Sequence, residues 1–304
     1  MSRDEIRAFG DITRMIGHTP LLEISRLAGR DGVYAKCEFM NPIAVKDRIA
    51  LQIILDAEAD GRLERGATLI EATSGNTGMA VAYIAAVRGY RAFLVMSEIQ
   101  SVERRQVLAA LGAEIVLTPA AEGTAGAKKR LMAICAEHPE YVYVGQHVNP
   151  SNPRAHELTT GPEIWEDTAG RIDTLVCALG TGGTICGAGR FLKSKNPDVR
   201  LVAVEPENSP YISQGIFRPH RIMGTAPGFV PETLDRDVID EIVLVSEEDA
   251  FAMCRRIARE EGVLVGISSG AAACAALREE GEVVVTVFAD SGERYLSVEG
   301  LFAG

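Results

Sequence analysis

Apolar positions along the chain follow two alternating patterns. Short, nearly continuous aliphatic and β-branched runs predict strands: "ATLIEA" (67–72), "RAFLVM" (91–96), "AEIVLT" (113–118), "TLVCAL" (174–179), "RLVAVE" (200–205) and "EVVVTVF" (282–288). Between them, "TGMAVAYIAAVRG" (77–89), "VERRQVLAALG" (102–112) and "EEDAFAMCRRIAREEG" (247–262) place apolar residues at helical spacing. This alternation predicts parallel α/β architecture, with strands so apolar that helices must cover both sheet faces. Asn and Pro cluster in "VGQHVNPSNPRAH" (144–156), between two such series, and mark a boundary. Two α/β lobes with a cleft between them are expected. Parallel sheets bind ligands beyond the carboxyl ends of their strands, so the strand-to-helix turns are where chemistry is sought.

Composition narrows the classes. The 304 residues are 47% hydrophobic and 24% charged, ordinary for a globular enzyme. Net charge is −11 with the acids dispersed, so no basic stripe is present to bind a phosphate backbone, and no nucleic-acid partner is expected. The start, "MSRDEIRAFGD", lacks the apolar core of a signal peptide, and no run reaches the roughly 18–20 apolar residues of a membrane span. A cytoplasmic protein with no membrane partner is expected. Six cysteines (Cys37, Cys135, Cys177, Cys186, Cys254 and Cys274) form no CxxC pair and read as small buried hydrophobes in a reducing compartment. The five histidines show no ligand spacing, and no metal is expected.

Three turns and one lysine carry the candidate chemistry. Thr73-Ser74-Gly75-Asn76-Thr77-Gly78 follows a strand and opens a helix. One such residue would be a cap, but six in succession indicate a ligand loop at a helix N-terminus. Gly180-Thr181-Gly182-Gly183-Thr184 has the composition of a phosphate cradle. A dinucleotide site, with Glu205 toward a ribose, is its rival; Ile185 occupies the position where G-x-G-x-x-G needs glycine, and no Lys-Ser/Thr pair follows. One phosphate monoester fits better. Gly266-Ile267-Ser268-Ser269-Gly270 matches the nucleophile elbow of serine hydrolases, yet after Ser268 the chain offers Asp290 and no histidine, the last being His220. Lysines are scarce: only Lys36, Lys46, Lys128, Lys129, Lys193 and Lys195, against 25 arginines. Lys46, in "NPIAVKDRIALQIIL", is either a desolvated nucleophile or a solvated helix start beside Asp47 and Arg48. A reactive lysine together with a cradle for one phosphate suggests pyridoxal 5′-phosphate.

Taken together, "NPIAVKDR", "EATSGNTG", "GTGGT", "GISSGAA" and "DSGERYLS" closely resemble the cysteine synthase (O-acetylserine sulfhydrylase)/cystathionine β-synthase family of fold-type II pyridoxal-phosphate enzymes. The resemblance extends through "IGHTPL" (16–21), "SVERRQVLAALGAEIVLTP" (101–119) and "TTGPEIWEDT" (159–168), nearly the whole chain. It implies a two-lobed α/β fold like the tryptophan synthase β chain, each lobe a mostly parallel sheet flanked by helices. The smaller lobe would span 40–146 and the larger 1–39 plus 147–304. It implies that Lys46 holds the cofactor as a Schiff base and then removes the substrate Cα proton, and that Asn76 meets the cofactor's 3′-oxygen. Thr73, Ser74, Gly75, Thr77 and Gln146 would bind the substrate carboxylate. The loop Gly180, Thr181, Gly182, Gly183 and Thr184 would hold the phosphate, and Ser268 would face the pyridine nitrogen.

The implied reaction is β-replacement on an activated L-serine, O-acetylserine first, through an aminoacrylate, with sulfide giving L-cysteine. O-phosphoserine as donor, or homocysteine or ammonia as nucleophile, are the alternatives, and a homodimer is implied. Four departures fall near the expected substrate pocket. The stretch before the lysine is one residue short, Ala44 replaces a serine, His147 replaces an aromatic residue after the glutamine, and Pro227 enters the glycine-rich "MGTAPGF" (223–229). Arg221 lies close enough in sequence to that loop to be a candidate for a donor phosphate.

Overall fold

The computed structural model describes residues 8–73, 75–98 and 102–302. Its strands are β1 (Leu21–Glu23), β2 (Val33–Cys37), β3 (Thr68–Ala72), β4 (Arg91–Ser97), β5 (Glu114–Thr118), β6 (Val142–Tyr143), β7 (Thr174–Ala178), β8 (Arg200–Pro206), β9 (Glu241–Val245) and β10 (Val284–Phe288). The helices are α1 (Ser25–Ala28), α2 (Lys46–Ala59), α3 (Asn76–Arg88), α4 (Val102–Ala110), α5 (Gly123–Glu137), α6 (Ser151–Leu158), α7 (Thr160–Asp167), α8 (Gly183–Lys195), α9 (Tyr211–Gln214), α10 (Glu247–Glu260) and α11 (Ile267–Ala276). The chain forms two compact units, His18 and the described residues before it with Asn41–Gly145, and Thr19–Met40 with the described residues from Gln146 onward.

The smaller unit holds a four-stranded parallel sheet in the order β5-β4-β3-β6, with Thr68 opposite Arg91 and Phe93 opposite Glu114. Successive strand residues face opposite ways, so each apolar strand feeds two cores. Leu69, Leu94 and Met96 pack with Ile53 and Ile54 of α2 and Ile84 of α3, while Ile70, Phe93 and Val95 pack with Leu131 and Ile134 of α5. The larger unit holds six strands in the order β1-β2-β10-β7-β8-β9, parallel except for the β1–β2 pair. There, Val176, Val202 and Val284 pack with α10 and α11; Leu175, Leu201 and Val285 pack with Ile164 of α7 and Ile185 and Leu192 of α8.

The six strands and three helices read from hydrophobic pattern appear at those places. β2 escapes that pattern because "VYAKC" carries a charge, yet Lys36 is fully buried. Its Nζ donates to the Thr19 carbonyl (2.5 Å) and meets Asp167 Oδ2 (2.9 Å) and Glu163 Oε2 (3.0 Å), so all three ammonium protons are satisfied. The limits of the units also differ from those expected. Residues 8–18 belong with the smaller unit: Ile16 packs on its core and Gly17 N–H donates to Asn41 Oδ1 (2.8 Å). Gln146 belongs with the larger, its carbonyl held by Asn152. Among the described residues, no helix is long and apolar enough to cross a membrane.

All six cysteines are free. Burial raises every thiol pKa: Cys37 and Cys274 to about 11 and Cys254 to about 12, with Cys135, Cys177 and Cys186 also raised.

Candidate active site

In the smaller unit, α2 and α3 pack side by side, and each opens on a predicted site residue. Lys46 is the first residue of α2 and is half-buried. Its neighbours Asp47 and Arg48 are 0% and 3% exposed, so they do not form a solvated surface at this helix start. Asp47 closes the shortened segment before the lysine: its Oδ2 accepts Ile43 N–H (2.7 Å), while its own N–H donates to the Ala44 carbonyl (3.0 Å). Ala44 is itself fully buried, so the methyl fills space where a serine would bring a hydroxyl. Tyr83 of α3 lies beside Asp47; burial first, and then that carboxylate, push its phenol pKa up.

Asn76 begins α3, whose N-cap residue is Gly75. Its first turn carries the positive end of the helix dipole. Thr73, anchored by its N–H on the Val95 carbonyl (3.1 Å), accepts Gly75 N–H at Oγ1 (3.3 Å), which curls the turn. Thr77 is buried in the same turn. Ser74 lies outside the described residues.

In the larger unit, the strand β7 runs into Gly180–Thr184 and α8. Gly182 takes φ +79° at the N-cap and, being glycine, has no side chain to cap the helix. The approach is close: a Cβ on Gly180 would stand 2.3 Å from the Gly224 carbonyl oxygen, and one on Gly183 1.8 Å from Asn152 Oδ1. Side chains are sterically excluded, and what remains is a ring of main-chain N–H groups with the Thr181 and Thr184 hydroxyls. Thr181 Oγ1 accepts from Gly183 N–H (3.3 Å) and Asn152 Nδ2 (3.0 Å). Thr184 Oγ1 meets buried His156 Nε2 (3.2 Å), whose Nδ1 meets Thr160 Oγ1 (2.8 Å).

The two serines of "GISSG" divide their work. Ser269 is buried, and its Oγ accepts Ala289 N–H (3.0 Å). Ser268, one residue earlier near the start of α11, is half-buried and its hydroxyl makes no hydrogen bond among the described residues. Asp290, the would-be triad acid, accepts from Tyr295 Oη (2.6 Å). A Cβ on Gly266 would fall 2.0 Å from Asp290 Oδ1, so packing against that carboxylate imposes the glycine that made the motif look like an elbow.

Two other candidates are already engaged. The buried Glu205 carboxylate accepts from Ile212 N–H (2.6 Å), Ser213 N–H (2.9 Å) and Ser213 Oγ (2.7 Å), leaving it no part in ribose binding. Arg221 pairs with Glu247 (2.8 Å) and stacks over Phe251 (4.8 Å). Next to the cradle, Gln146 is buried, and His147 sets its ring edge-on to Phe229 at 5.1 Å. Pro227 follows Ala226, which takes φ +42°, the left-handed region, and donates its N–H to the Leu179 carbonyl (3.0 Å). Asn152, His156 and Thr233 were not found from sequence, since an Asn-Pro pair, a lone histidine and a loop threonine carry no periodic signal.

The class of protein follows from comparison with known families: a family model described as "Pyridoxal-phosphate dependent enzyme" matches residues 12–290. Cysteine synthase A of Escherichia coli (strain K12) is 46% identical, covering 98% of this chain and 96% of that protein. Cysteine synthase of Staphylococcus aureus (strain Mu50) is 45% identical over 94% and 95%. Among solved structures, O-ureido-L-serine synthase superposes with a TM-score of 0.93 at 42% identity, covering 98% of both chains. O-acetyl serine sulfhydrylase isoform 3 from Entamoeba histolytica gives 0.92 at 39%, over 98% and 92%. The chain thus belongs to the pyridoxal-phosphate dependent enzymes and, within them, to the cysteine synthase family.

Its cofactor is pyridoxal 5′-phosphate. The residues present fit that group. The loop from β7 to α8 brings main-chain N–H groups and the Thr181 and Thr184 hydroxyls together at a helix N-terminus, the kind of donor set one phosphate requires.

Proposed function

We propose that this enzyme replaces the β-substituent of an activated L-serine, O-acetyl-L-serine, with sulfide to give L-cysteine. The observation that carries the proposal is Ser268, a half-buried hydroxyl with no hydrogen-bond partner among the described residues, at the uncapped start of α11. Pyridoxal 5′-phosphate, when bound, supplies the aldehyde that captures the substrate amine and the ring that draws electron density from Cα. Toward that ring nitrogen Ser268 offers a neutral hydroxyl, which leaves the nitrogen unprotonated where a carboxylate would hold a proton on it. The weaker pull favours expelling the β-group over prolonged storage of charge.

Lys46 Nζ holds the cofactor and then carries the Cα proton. Asn76 orients the ring through its 3′-oxygen. Thr73, Ser74, Gly75, Thr77 and Gln146 bind the substrate carboxylate, helped by the positive end of the α3 dipole. Gly180, Thr181, Gly182, Gly183 and Thr184 take the phosphate. The enzyme acts as a homodimer in the cytoplasm; six free cysteines suit a reducing compartment, and light scattering on the purified protein tests the dimer.

A second possibility is a nucleophile other than sulfide. It is favoured by the likeness to O-ureido-L-serine synthase and by His147, which stands next to Gln146 and adds a hydrogen-bonding ring there. Against O-phosphoserine as donor stands Arg221, whose guanidinium is occupied by Glu247.

The test mixes holoenzyme with O-acetyl-L-serine, O-phospho-L-serine and L-serine in turn. Sulfide, homocysteine, ammonia and hydroxyurea are then added, and the amino-acid product is measured. L-cysteine from O-acetyl-L-serine and sulfide is the expected result. A protein that carries the cofactor yet turns over none of the donors refutes the proposal.

A further inference from the structure

Asn152 and Thr233 lie on different elements, one in α6 and one in the loop before Leu234, and are 0% and 4% exposed. Both join the same two places. Asn152 Nδ2 donates to the Gln146 carbonyl (2.6 Å) and to Thr181 Oγ1 (3.0 Å). Thr233 gives its N–H to the His147 carbonyl (3.3 Å) and its hydroxyl proton to the Thr181 carbonyl (2.7 Å). Adjacent main-chain carbonyls, those of Gln146 and His147, are thus tied to the two oxygens of one cradle residue.

The geometry constrains the cradle directly. A main-chain carbonyl only accepts, so the Asn152 amide must present Nδ2 to Gln146, which directs Oδ1 at Gly183. In a trans peptide, C=O and N–H point in opposite directions. With the Thr181 carbonyl turned onto Thr233, the N–H of Gly182 is turned the other way. Both rungs are buried, and neither Thr181 oxygen can move without moving residues 146 and 147.

We propose that Asn152 and Thr233 are positioning residues that couple the substrate carboxylate at Gln146 to the cofactor phosphate at Gly180–Thr184. This coupling rests on the roles proposed above for Gln146 and for the loop. Engagement of Gln146 by a carboxylate shifts the 146–147 main chain, and the two rungs pass that shift to the donors around the phosphate.

The experiment is phosphorus-31 NMR of the holoenzyme titrated with L-serine, paired with cofactor dissociation constants with and without L-serine. Wild type is expected to shift its bound phosphate resonance and to hold the cofactor more tightly when L-serine is present. Thr233→Val keeps the N–H rung and deletes the hydroxyl. It is expected to lose the serine-dependent shift, to cut the serine-dependent gain in cofactor affinity about tenfold, and to raise KM for O-acetyl-L-serine more than it lowers kcat. Thr233→Ser, which restores the hydroxyl, is expected to restore all three. Asn152→Leu, on the other rung, is to lose the same shift.

A Thr233→Val enzyme that responds to L-serine as wild type does overturns the coupling. So does a wild-type phosphate resonance indifferent to L-serine. Absence of any bound phosphate resonance in wild type would instead overturn the cradle assignment beneath it.

Discussion

Gly183→Ala sets two effects of opposite sign against each other. Alanine in the first turn of a helix is ordinarily favourable over glycine, by up to about 1 kcal/mol. Here, however, the new Cβ would stand 1.8 Å from Asn152 Oδ1, a fully buried side chain, so Asn152 must give way. Displacing it breaks the bonds of Nδ2 to the Gln146 carbonyl and Thr181 Oγ1. Two buried hydrogen bonds at about 1 kcal/mol each, plus about 1–3 kcal/mol for burying the Asn152 amide without those acceptors, outweigh the propensity gain. The net expectation is destabilisation by about 2–4 kcal/mol, with weakened retention of pyridoxal 5′-phosphate. Urea unfolding is followed through Trp165, the single tryptophan, which packs on the core of the larger unit next to α8. In Gly183→Ala/Asn152→Ala the obstacle is gone, so the double variant should be no worse than Asn152→Ala alone, a coupling of about 2 kcal/mol. A Gly183→Ala protein as stable as wild type, or strictly additive variants, would refute the reasoning.

Ser268→Asp is expected to lower β-replacement at least about tenfold and to alter the visible absorbance of the bound cofactor, by holding a proton on the ring nitrogen; unchanged rate and spectrum would remove Ser268 from that nitrogen. Lys36→Met leaves Glu163 and Asp167 facing one another without their cation and, allowing for the partial exposure of both carboxylates, is expected to cost about 2–3 kcal/mol in urea unfolding. Because the folded-state thiol pKa values lie above the unfolded ones, the unfolded chain loses its thiol protons first as pH rises. Stability is therefore expected to be complete below about pH 8.5 and to decline up to about pH 12, through Cys37, Cys274 and then Cys254. Cys37→Ser measured across that range should flatten the decline, and an equally steep loss would count against it.

The candidate turns were legible because each stacks several turn-forming residues between an apolar strand and a helix, a pattern visible without tertiary information. The lysine was not settled by sequence. Burial separates a solvated start from a desolvated one, and only the structure shows Asp47 and Arg48 buried beside a half-buried Lys46. What stayed hidden has the same cause throughout. β2 conceals a charge that pairs with α7 across 131 residues of sequence. Asn152 and Thr233 reach Thr181 across 29 and 52 residues of sequence, bonds that leave no trace in local composition. "GISSG" misled for a related reason: Gly266 answers to a carboxylate 24 residues downstream, and a motif search sees only the spacing.

The raised thiol pKa values have one more consequence. A catalyst that feeds on a sulfur nucleophile and releases a thiol works in a medium full of its own side reactions, because sulfide and cysteine exchange readily with protein sulfur. Exchange runs through the thiolate, and burial raises the pKa of all six cysteine thiols of this chain, which keeps them protonated at neutral pH. Under the function proposed above, sulfide and cysteine would meet few protein thiolates to exchange with, and sulfur chemistry would fall to the substrate's β-carbon.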